Sequence, residues 1–548
     1  MHIIIPMSGI GKRFIDAGYV VPKALIEVDG KPIIEHVCDL FPDEDKFTFI
    51  CNSHHLLTTN MRETLLKIKP SATIVEISNH KKGPVFAVSA GEHLILDDEE
   101  VIVNYCDFGT YWSYKDFLKH TRDRDADGAI PSYKGFHPHM LGHTNYAFVR
   151  EKKQWMHEIK EKEPFTNDRT NEYASNGTYY FKKGSLVKKY FEQLMVKDIN
   201  LDGEYYVSLI YNLMVEDGLK VSIYEVQHML QWGTPQDLDQ YRAWSKYFKS
   251  VVSDNPKPIA SIDSVMLIPL AGRGSRFEKM GYVDPKPLIE VGGKPMIIQA
   301  ANSLPNSATN IFVTLGKHLD KYPLEQVLKN EYVDATIISI DEVTQGQAIT
   351  CGLGLKDVDK NASLLVAATD NGMIYNHDEY QKLVECDDVD AIIFTFRHHV
   401  SSQNNPQMYG WVKTNGNGDA KGVSVKVPIS SDPYEDHAIV GTFWFKNVKL
   451  FDLALSNVLK KGIRINGEYY VDSLMGELIH LGWKVKVFEV EDYVCWGTPT
   501  DYETFVYWQS FFHKKSSHPY CLKNDRTISF EKINELDCRY RNFKQENA

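Results

Sequence analysis

Two turns follow short apolar segments, "MSGIGKRF" at 7–14 and "LAGRGSRF" at 270–277. Each contains two glycines and, two residues after the second glycine, an arginine. A glycine backbone can approach an anion closely because no Cβ intervenes, and the planar guanidinium of arginine matches phosphate oxygens. The dinucleotide fingerprint and the Walker loop are both absent. The turns predict phosphate binding, with a tight structural turn as the alternative. Their candidate residues are Gly9, Gly11, Arg13, Gly272, Gly274 and Arg276.

A second cation follows each turn, since Lys23 and Lys286 come ten residues after the two arginines and directly after a proline. Asp107 and Asp370 each end an almost uncharged apolar strand, where a carboxylate reaches the edge of a sheet at which ligands bind. Mg²⁺ prefers one or two carboxylates together with substrate phosphates. These two aspartates are therefore candidate Mg²⁺ ligands, and a helix-capping role is the alternative.

Three later motifs carry further candidates. Lys162 in "KEKEP" and Lys426 in "SVKVP" precede "GTYYF" and "GTFWF" at matching places and could each hold a second phosphate. The two "WGTP" motifs indicate helix starts that resemble a capping box. Thr234 or Thr498 is the expected cap, proline follows at the first helical position, and Asp237 or Asp501 stands at the third. The loop "GFHPHMLGHTN" contains His137, His139 and His143, for which we expect substrate contacts or loop hydrogen bonds rather than zinc.

Every one of the phosphate-site features occurs twice, which indicates a duplicated domain. "PKALIEVDGKPII" at 22–34 and "PKPLIEVGGKPMI" at 285–297 share 10 of 13 residues and lie 263 positions apart. "GEYYV" and "WGTP" also recur, with an offset of 264. A register that drifts by one residue over two hundred is typical of whole domains rather than of short solenoid repeats.

The elements that must position these residues alternate between short β-rich runs such as "HIIIP" and "VIVNYC" and helical patterns at 59–68, 186–196 and 204–217. This alternation predicts an α/β fold in which a mainly parallel sheet has helices on both faces. The predicted organisation is two such domains, a proline-containing polar linker and a polar tail. Their bounds are 1–250, 251–261 for the linker, 262–515 and 516–548 for the tail.

Composition and charge favour some classes of protein over others. The chain has 548 residues and a net charge of -12, which argues against a protein that coats nucleic acid. No leader pattern and no apolar run of 18 residues occurs, so we expect a cytoplasmic protein without membrane insertion. The eight cysteines show no C-x-x-C spacing, which favours reduced structural thiols.

As an ordered set, the motifs of each half resemble those of sugar-phosphate nucleotidyltransferases. The set is G-x-G-x-R-F, P-K-P-L-I-E-V-x-G-K-P, a strand-terminal aspartate, and a lysine before a G-x-Y-x-F strand. The resemblance covers nearly all of both halves and implies two tandem Rossmann-like domains. It implies an enzyme that joins a nucleoside triphosphate to a sugar 1-phosphate and releases pyrophosphate. The expected products are nucleotide sugars for surface polysaccharide precursors, made at one site or at two.

The resemblance also assigns roles by motif. Arg13 and Arg276 would stabilise the departing pyrophosphate with help from Lys23 and Lys286, while Mg²⁺ would bind Asp107 and Asp370. Lys162 and Lys426 would hold the sugar phosphate. The nucleotide-binding loop, "KGPV" in the first half and "QGQA" in the second, would contribute Gly83, Gln345 and Gly346. Substrate contacts are further expected at Gly177, Glu204, Gly441 and Glu468.

One position departs from the family pattern. The family often has a second metal-binding aspartate two residues before the late Gly-Thr, and here Gln231 and Cys495 occupy that place. Neither is a good Mg²⁺ ligand, because hard cations prefer charged oxygen donors. Glu491 and Asp492 are candidate substitutes in the second half.

Two other functions remain open from the sequence. A glycosyltransferase of related fold would use an activated nucleotide sugar, but both halves lack the D-x-D motif typical of that class. One half could instead be a non-catalytic binder of nucleotide or sugar phosphate. The sequence specifies neither the base, nor the sugar or alcohol phosphate, nor whether the chain forms an oligomer.

Overall fold

The computed structural model describes residues 1–142, 144–253, 261, 263–272 and 274–541. The chain divides into two compact units, Met1–Ser245 and Lys246–Ala548. His143 and most of the predicted linker lie outside the described residues, and the predicted domain bounds remain predictions. Among the residues described, no helix is both long enough and apolar enough to cross a membrane.

Unit 1 alternates strands and helices as the sequence predicts. Its strands are β1 (His2–Met7), β2 (Glu27–Val28), β3 (Lys31–Pro32), β4 (Phe47–Asn52), β5 (Thr73–Ile77), β6 (Val101–Asn104), β7 (Phe108–Tyr111), β8 (Gly128–Tyr133), β9 (Ala147–Lys152), β10 (Trp155–Glu161), β11 (Tyr173–Ser175), β12 (Thr178–Phe181), β13 (Val221–Glu225) and β14 (His228–Gln231). Its helices are α1 (Lys12–Asp16), α2 (Ile33–Cys38), α3 (Ser53–Thr58), α4 (Met61–Ile68), α5 (Gly83–Ser89), α6 (Tyr114–Asp123), α7 (Gly184–Val196) and α8 (Val207–Glu216), and α9 (Pro235–Val251) begins in unit 1 and ends in unit 2.

The large sheet of unit 1 is mixed, with the strand order β11-β9-β10-β13-β8-β12-β6-β1-β4-β5 among the described residues. β6, β1, β4 and β5 run parallel, so the carboxyl ends of β1 and β6 lie side by side. β12 enters antiparallel between β6 and β8. The turn after β1 and the segment after β6, which carries Asp107, therefore meet at one edge of the sheet.

Unit 2 repeats this arrangement. Its strands are β15 (Ser264–Pro269), β16 (Glu290–Val291), β17 (Lys294–Pro295), β18 (Thr309–Leu315), β19 (Thr336–Ile340), β20 (Ser363–Val366), β21 (Asn371–Ile374), β22 (Ala391–Phe396), β23 (Gly410–Thr414), β24 (Ala420–Val425), β25 (His437–Phe445), β26 (Val485–Glu489) and β27 (Asp492–Cys495). Its helices are α10 (Ser275–Lys279), α11 (Met296–Ser303), α12 (Gly316–Lys321), α13 (Leu324–Glu331), α14 (Gln347–Gly354), α15 (His377–Val384), α16 (Val400–Asn404), α17 (Val448–Lys461), α18 (Val471–His480), α19 (Pro499–Lys514) and α20 (Phe530–Arg541).

The sheet of unit 2 has the order β19-β18-β15-β20-β25-β22-β26, with β23 paired to β24 and β25. Buried aliphatic side chains of these strands pack against α14, α17 and α18 on one face, forming a core that includes Leu267, Val366 and Phe445. A second core on the other face includes Ile268, Phe312 and Trp411. The tail forms α20, whose Leu536 and Tyr540 are buried.

The predicted fold class, two tandem Rossmann-like α/β domains with mixed sheets flanked by helices, is confirmed. One predicted helix, 204–217, is wrong at its start, because α8 begins only at Val207. The Tyr205 backbone N–H donates to the Lys82 carbonyl, and its carbonyl accepts from the Val85 N–H. Because its backbone is bonded to Lys82 and to the first turn of α5, Tyr205 lies outside α8, and Glu204 stays in the loop before that helix.

Candidate functional site

The two glycine turns have the same backbone geometry. Gly11 and Gly274 adopt left-handed conformations, φ 68° and φ 63°, and directly precede α1 and α10. A Cβ placed on Gly9 or Gly272 would meet no protein atom within 4 Å. Packing against the protein therefore does not require glycine at these two positions, and their missing side chains leave the space in front of the turn open for a ligand.

A lysine and an aspartate meet in front of each turn. Lys23 Nζ lies 2.7 Å from Asp107 Oδ2, and Lys286 Nζ contacts Asp370 Oδ2 in the same way. Burial acts to lower the pKa of Lys23, but Asp107 outweighs it and the pKa is raised. Burial would raise the pKa of Asp370, yet Lys286 holds it below its ordinary value. Each lysine and aspartate thus form an ion pair, in which a phosphate could bind the lysine and a metal ion the aspartate.

Two clefts adjoin the pair in unit 1. The larger, of about 290 Å³, is lined by the glycine turn, Lys23, Gly83 and Glu204. The smaller, of about 190 Å³, is lined by Arg13, Lys162 and Gly177, among others. Tyr105, Asp107 and Tyr206 line both clefts. Asp107 therefore lies where the contents of the two clefts would meet.

The candidate lysines for a second phosphate adopt the same uncommon backbone conformation in the two units. Lys162 has φ 58° and Lys426 has φ 64°. Each donates its backbone N–H to a tyrosine carbonyl, Tyr146 in unit 1 at 2.8 Å and Tyr409 in unit 2 at 3.0 Å. A left-handed conformation is costly for a residue with a Cβ, so its repetition indicates that this backbone path aims the lysine.

The Lys162 ammonium donates to the Tyr206 hydroxyl at 2.6 Å, and that hydroxyl contacts Glu204. In unit 2, Lys426 donates to the Met408 carbonyl and lies over the Tyr470 ring. Burial lowers the pKa of Lys426, and Asp472, Asp370 and Glu468 act in the opposite direction. Predicted residues from distant parts of each unit are thus brought together.

Comparison with known proteins identifies the family of the chain. The profile of the MobA-like NTP transferase domain matches residues 3–169 and 266–414, which together make up more than half of the chain. The chain belongs to the MobA-like NTP transferase family. The resemblance predicted from the motifs is thereby confirmed, and both units carry an NTP transferase region.

Three individual proteins to which this NTP transferase chain is similar share 18–25% of their residues with it. The bifunctional protein GlmU of Staphylococcus epidermidis is 25% identical over 228 residues, 41% of this chain and 47% of that protein. The match therefore spans about half the length of this curated relative. A nucleoside-diphosphate-sugar pyrophosphorylase from Vibrio cholerae is 20% identical with a TM-score of 0.38, over 44% of this chain and 99% of the other. A glucose-1-phosphate thymidylyltransferase from Bacillus anthracis, described as putative, is 18% identical with a TM-score of 0.36, over 44% and 94%.

The loop before α5 in the first NTP transferase unit, and before α14 in the second, lies against the "GEYYV" motif. The Tyr469 N–H donates to the Gln345 carbonyl at 2.9 Å, and the Ala348 N–H donates to the Tyr469 carbonyl at 3.0 Å. Gly346 has φ 138°, and a Cβ on it would come within 2.5 Å of the Tyr469 carbonyl oxygen. Gly83 approaches Tyr205 in the same manner. Glycine is required here because two backbones touch.

This close approach yields a prediction for Gly346→Ala. The added methyl group would collide with the Tyr469 backbone at a position with positive φ, so we expect unit 2 to lose about 1–3 kcal/mol of unfolding free energy. Affinity of unit 2 for nucleoside triphosphate should fall with it. Denaturant unfolding and nucleotide titration measure the two effects. Gly416→Ala is the matched control, since its Cβ would meet nothing within 4 Å; an equal loss in both variants would contradict the prediction.

The nucleotide side differs between the two NTP transferase units. In unit 1, Ser8 and His80 are hydrogen-bonded at 2.9 Å. The matching residues of unit 2 are Ala271 and Val343. There the Gln345 side-chain carbonyl instead accepts from Arg464 at 2.8 Å, which orients its amide group. The walls that would face a base therefore present different hydrogen-bonding groups.

Sequence reasoning missed three carboxylates near the paired lysine and aspartate. Glu161 lines the smaller cleft of unit 1, and burial raises its pKa to about 7. Asp237 and Asp501 belong to helix-capping motifs, and the full capping box predicted at Thr498 is present. Burial raises the pKa of Asp237 to about 6, with Arg13 and Asp107 close enough to influence it. The capping signal explained Asp237 and Asp501 locally and gave no sign that they face the site.

In both units, another residue occupies the place of the family's second metal-binding aspartate, beside the strand-terminal aspartate. A Cβ on Gly233 would lie 3.0 Å from Asp107 Oδ2 and 2.8 Å from Gln231 Nε2, so these two side chains lie side by side. Cys495 has the same relation to Asp370, and burial raises its thiol pKa. Asp492 does not substitute, because it lies at the other end of β27 and pairs with Lys246 at 3.0 Å.

Among the described residues, no group of three acidic, histidine or cysteine side chains forms a metal cluster. Asp107 and Asp370 nevertheless fit Mg²⁺, which commonly binds one or two carboxylates and completes its shell with substrate phosphates and water. Gln231 adds a neutral amide beside Asp107. The neutral thiol of Cys495 is a poor ligand for a hard cation.

Proposed function

We propose that each unit transfers a nucleotidyl group from a nucleoside triphosphate to a phosphorylated acceptor, a sugar 1-phosphate or a similar compound, and releases pyrophosphate. The observation that carries this proposal is the placement of Asp107 and Lys23. Asp107 lines both the cleft that contains the glycine turn and the cleft that contains Arg13 and Lys162, and its ion-pair partner Lys23 lines the first of these. The larger cleft would take the triphosphate, and the smaller cleft would take the acceptor phosphate.

The chemistry needs no general base. An oxygen of the acceptor phosphate attacks the α-phosphorus in line, and the bond from that phosphorus to the bridging oxygen of pyrophosphate breaks. A phosphate monoester has a second pKa of about 6, so at neutral pH most of it is already the dianion. The protein must hold two polyanions together and stabilise the leaving pyrophosphate, which is a task of positioning and charge.

The residues divide this task between them. Lys23 in unit 1 and Lys286 in unit 2 would bind the triphosphate. Arg13, which lines the smaller cleft together with Asp107, would reach the triphosphate from the acceptor side and offset the charge that builds up on pyrophosphate, and Arg276 would do the same in unit 2. Lys162 and Lys426 would orient the acceptor phosphate. Asp107 and Asp370 would hold Mg²⁺, which supplies charge neutralisation to the phosphates when bound. The use of the product in polysaccharide synthesis stays a prediction.

The full chain should release pyrophosphate only when a triphosphate, a phosphorylated acceptor and Mg²⁺ are all present. The measurement is a coupled pyrophosphate assay over four nucleoside triphosphates and a panel of hexose 1-phosphates and alcohol phosphates. EDTA should remove the activity, and excess Mg²⁺ should restore it. Undiminished release in EDTA would contradict the metal assignment. Turnover of a nucleotide sugar without triphosphate would contradict nucleotidyl transfer itself.

A further inference from the structure

The acceptor side of the two units can be compared residue by residue, because the strands that build it pair in the same register. In unit 1, Ala147 of β9 lies opposite Glu161 of β10. In unit 2, Gly410 of β23 lies opposite Val425 of β24. The lysine that would hold the acceptor phosphate directly follows Glu161 and Val425. The two pairs therefore occupy the same place in the fold.

In unit 1 the carboxylate at this place comes from the strand. Glu161 Oε2 accepts a hydrogen bond from the Ser208 hydroxyl at 2.5 Å, and Ser208 is the second residue of α8. Glu161 and Ala147 both line the smaller cleft. The acidic side chain thus stands on the strand wall, and the helix contributes only a hydroxyl.

In unit 2 the carboxylate comes from the helix. Val425 stands where unit 1 has Glu161, so the strand carries no acidic residue there. Asp472, the second residue of α18, stands where unit 1 has Ser208. A Cβ on Gly410 would overlap Asp472 Oδ1 and lie 3.2 Å from Asp472 Cγ. The glycine therefore makes the space that the Asp472 carboxylate occupies. The set Ala147, Glu161 and Ser208 of unit 1 thus corresponds to the set Gly410, Val425 and Asp472 of unit 2.

Three other residues of this wall are polar in unit 1, and their counterparts in unit 2 are apolar. The smaller cleft of unit 1 is also lined by Asn145, Ser175 and Asn176. The matching residues of unit 2 are Met408, Ile439 and Val440. Strand pairing supports the match, since Ala174 lies opposite Phe148 in unit 1 and Ala438 lies opposite Trp411 in unit 2. Three polar side chains that line the unit 1 cleft are thus matched by apolar side chains in unit 2, where Ile439 and Val440 are buried.

We propose that Asp472 is the acceptor-binding carboxylate of unit 2 and that the two units use different acceptors. Unit 1 takes a phosphorylated acceptor rich in hydroxyl groups, whereas unit 2 takes one with few, which hydrogen-bonds to Asp472. This inference rests on the proposed nucleotidyl transfer. A wall of amides and hydroxyls favours a polyhydroxylated ligand, because an apolar ligand would leave those groups unpaired, and an apolar wall reverses the preference.

The test grafts the unit 1 pattern onto unit 2 in the full chain. Arg13→Ala silences unit 1, and Gly410→Ala, Val425→Glu and Asp472→Ser are then introduced together. The panel contains glucose 1-phosphate, glycerol 3-phosphate and phosphocholine. We expect the ratio of kcat/KM for glucose 1-phosphate to that for the better of the other two to rise about tenfold or more. Asp472→Asn alone should raise the acceptor KM while leaving triphosphate binding, measured by titration, unchanged.

The outcomes separate the two levels of the proposal. If no acceptor supports pyrophosphate release in the parent chain, nucleotidyl transfer fails. If the parent is active and the graft leaves the acceptor ratio unchanged while triphosphate still binds, the role of Asp472 is refuted. If the graft does not fold, the reverse graft in unit 1 decides, with Ala147→Gly, Glu161→Val and Ser208→Asp in an Arg276→Ala chain. That graft should lower the ratio by a similar factor, and an unchanged ratio overturns the inference.

Discussion

Arg276→Ala should abolish the activity of unit 2 and leave that of unit 1, and Arg13→Ala should do the reverse. Each arginine shares a site with the aspartate of its own unit: Arg276 acts on the pKa of Asp370, and Arg13 lines the cleft that Asp107 also lines. Losing a cation that stabilises developing charge typically costs about 10²–10³ in kcat. Acceptors that distinguish the units would show the losses separately, and a shared acceptor would show about half of the rate lost in each variant.

The control for this pair is Arg150→Ala, since Arg150 is exposed and bonded to Glu158 at 3.0 Å on β10. It should change neither activity. If Arg276→Ala removes all activity and Arg13→Ala removes none, unit 1 is a binding or structural module. The duplication would then serve something other than two reactions.

Asp370→Asn should lower the kcat of unit 2 by about 10²–10³, and Asp107→Asn should do the same in unit 1. Asparagine keeps the shape of the side chain but removes the charge that Mg²⁺ and the neighbouring lysine both use. Titration of triphosphate with and without Mg²⁺ provides a readout apart from turnover, since the gain in affinity from Mg²⁺ should shrink in each variant.

Asp39→Asn is the matched control, because that carboxylate is exposed and forms an ion pair with Lys31 at 3.0 Å. It should leave both turnover and the Mg²⁺ effect unchanged. Asp370→Asn with an intact Mg²⁺ effect on triphosphate affinity would show that the metal is held elsewhere or is not used.

The sequence predicted the residues whose signals are local. The glycine turns, the two arginines and the proline-lysine pairs each form a short motif beside an apolar strand, and the duplication repeats every motif in order. Asp107 and Asp370 were found because a charge at the end of an uncharged strand is unusual. The α/β fold class was also predictable, because the alternation of strands and helices is a local pattern in the sequence.

What the sequence could not predict depends on contacts between distant segments. Glu161 meets Ser208 only because β10 packs beside α8, and Asp472 needs the space that Gly410 provides from another strand. Asp237 belongs to a helix start that explains it fully in local terms, yet it lies within electrostatic reach of Arg13 and Asp107. Tyr205 is drawn out of a predicted helix by its bonds to the loop at Lys82.

The most direct test of nucleotidyl transfer follows the label from the triphosphate. The parent chain is incubated with Mg²⁺ and the acceptor it prefers, once with triphosphate labelled at the α-phosphorus and once with triphosphate labelled at the γ-phosphorus. We expect the α label to enter a nucleotide joined to the acceptor phosphate, and the γ label to leave in an equal amount of pyrophosphate. A γ label recovered in the acceptor or as orthophosphate would contradict it.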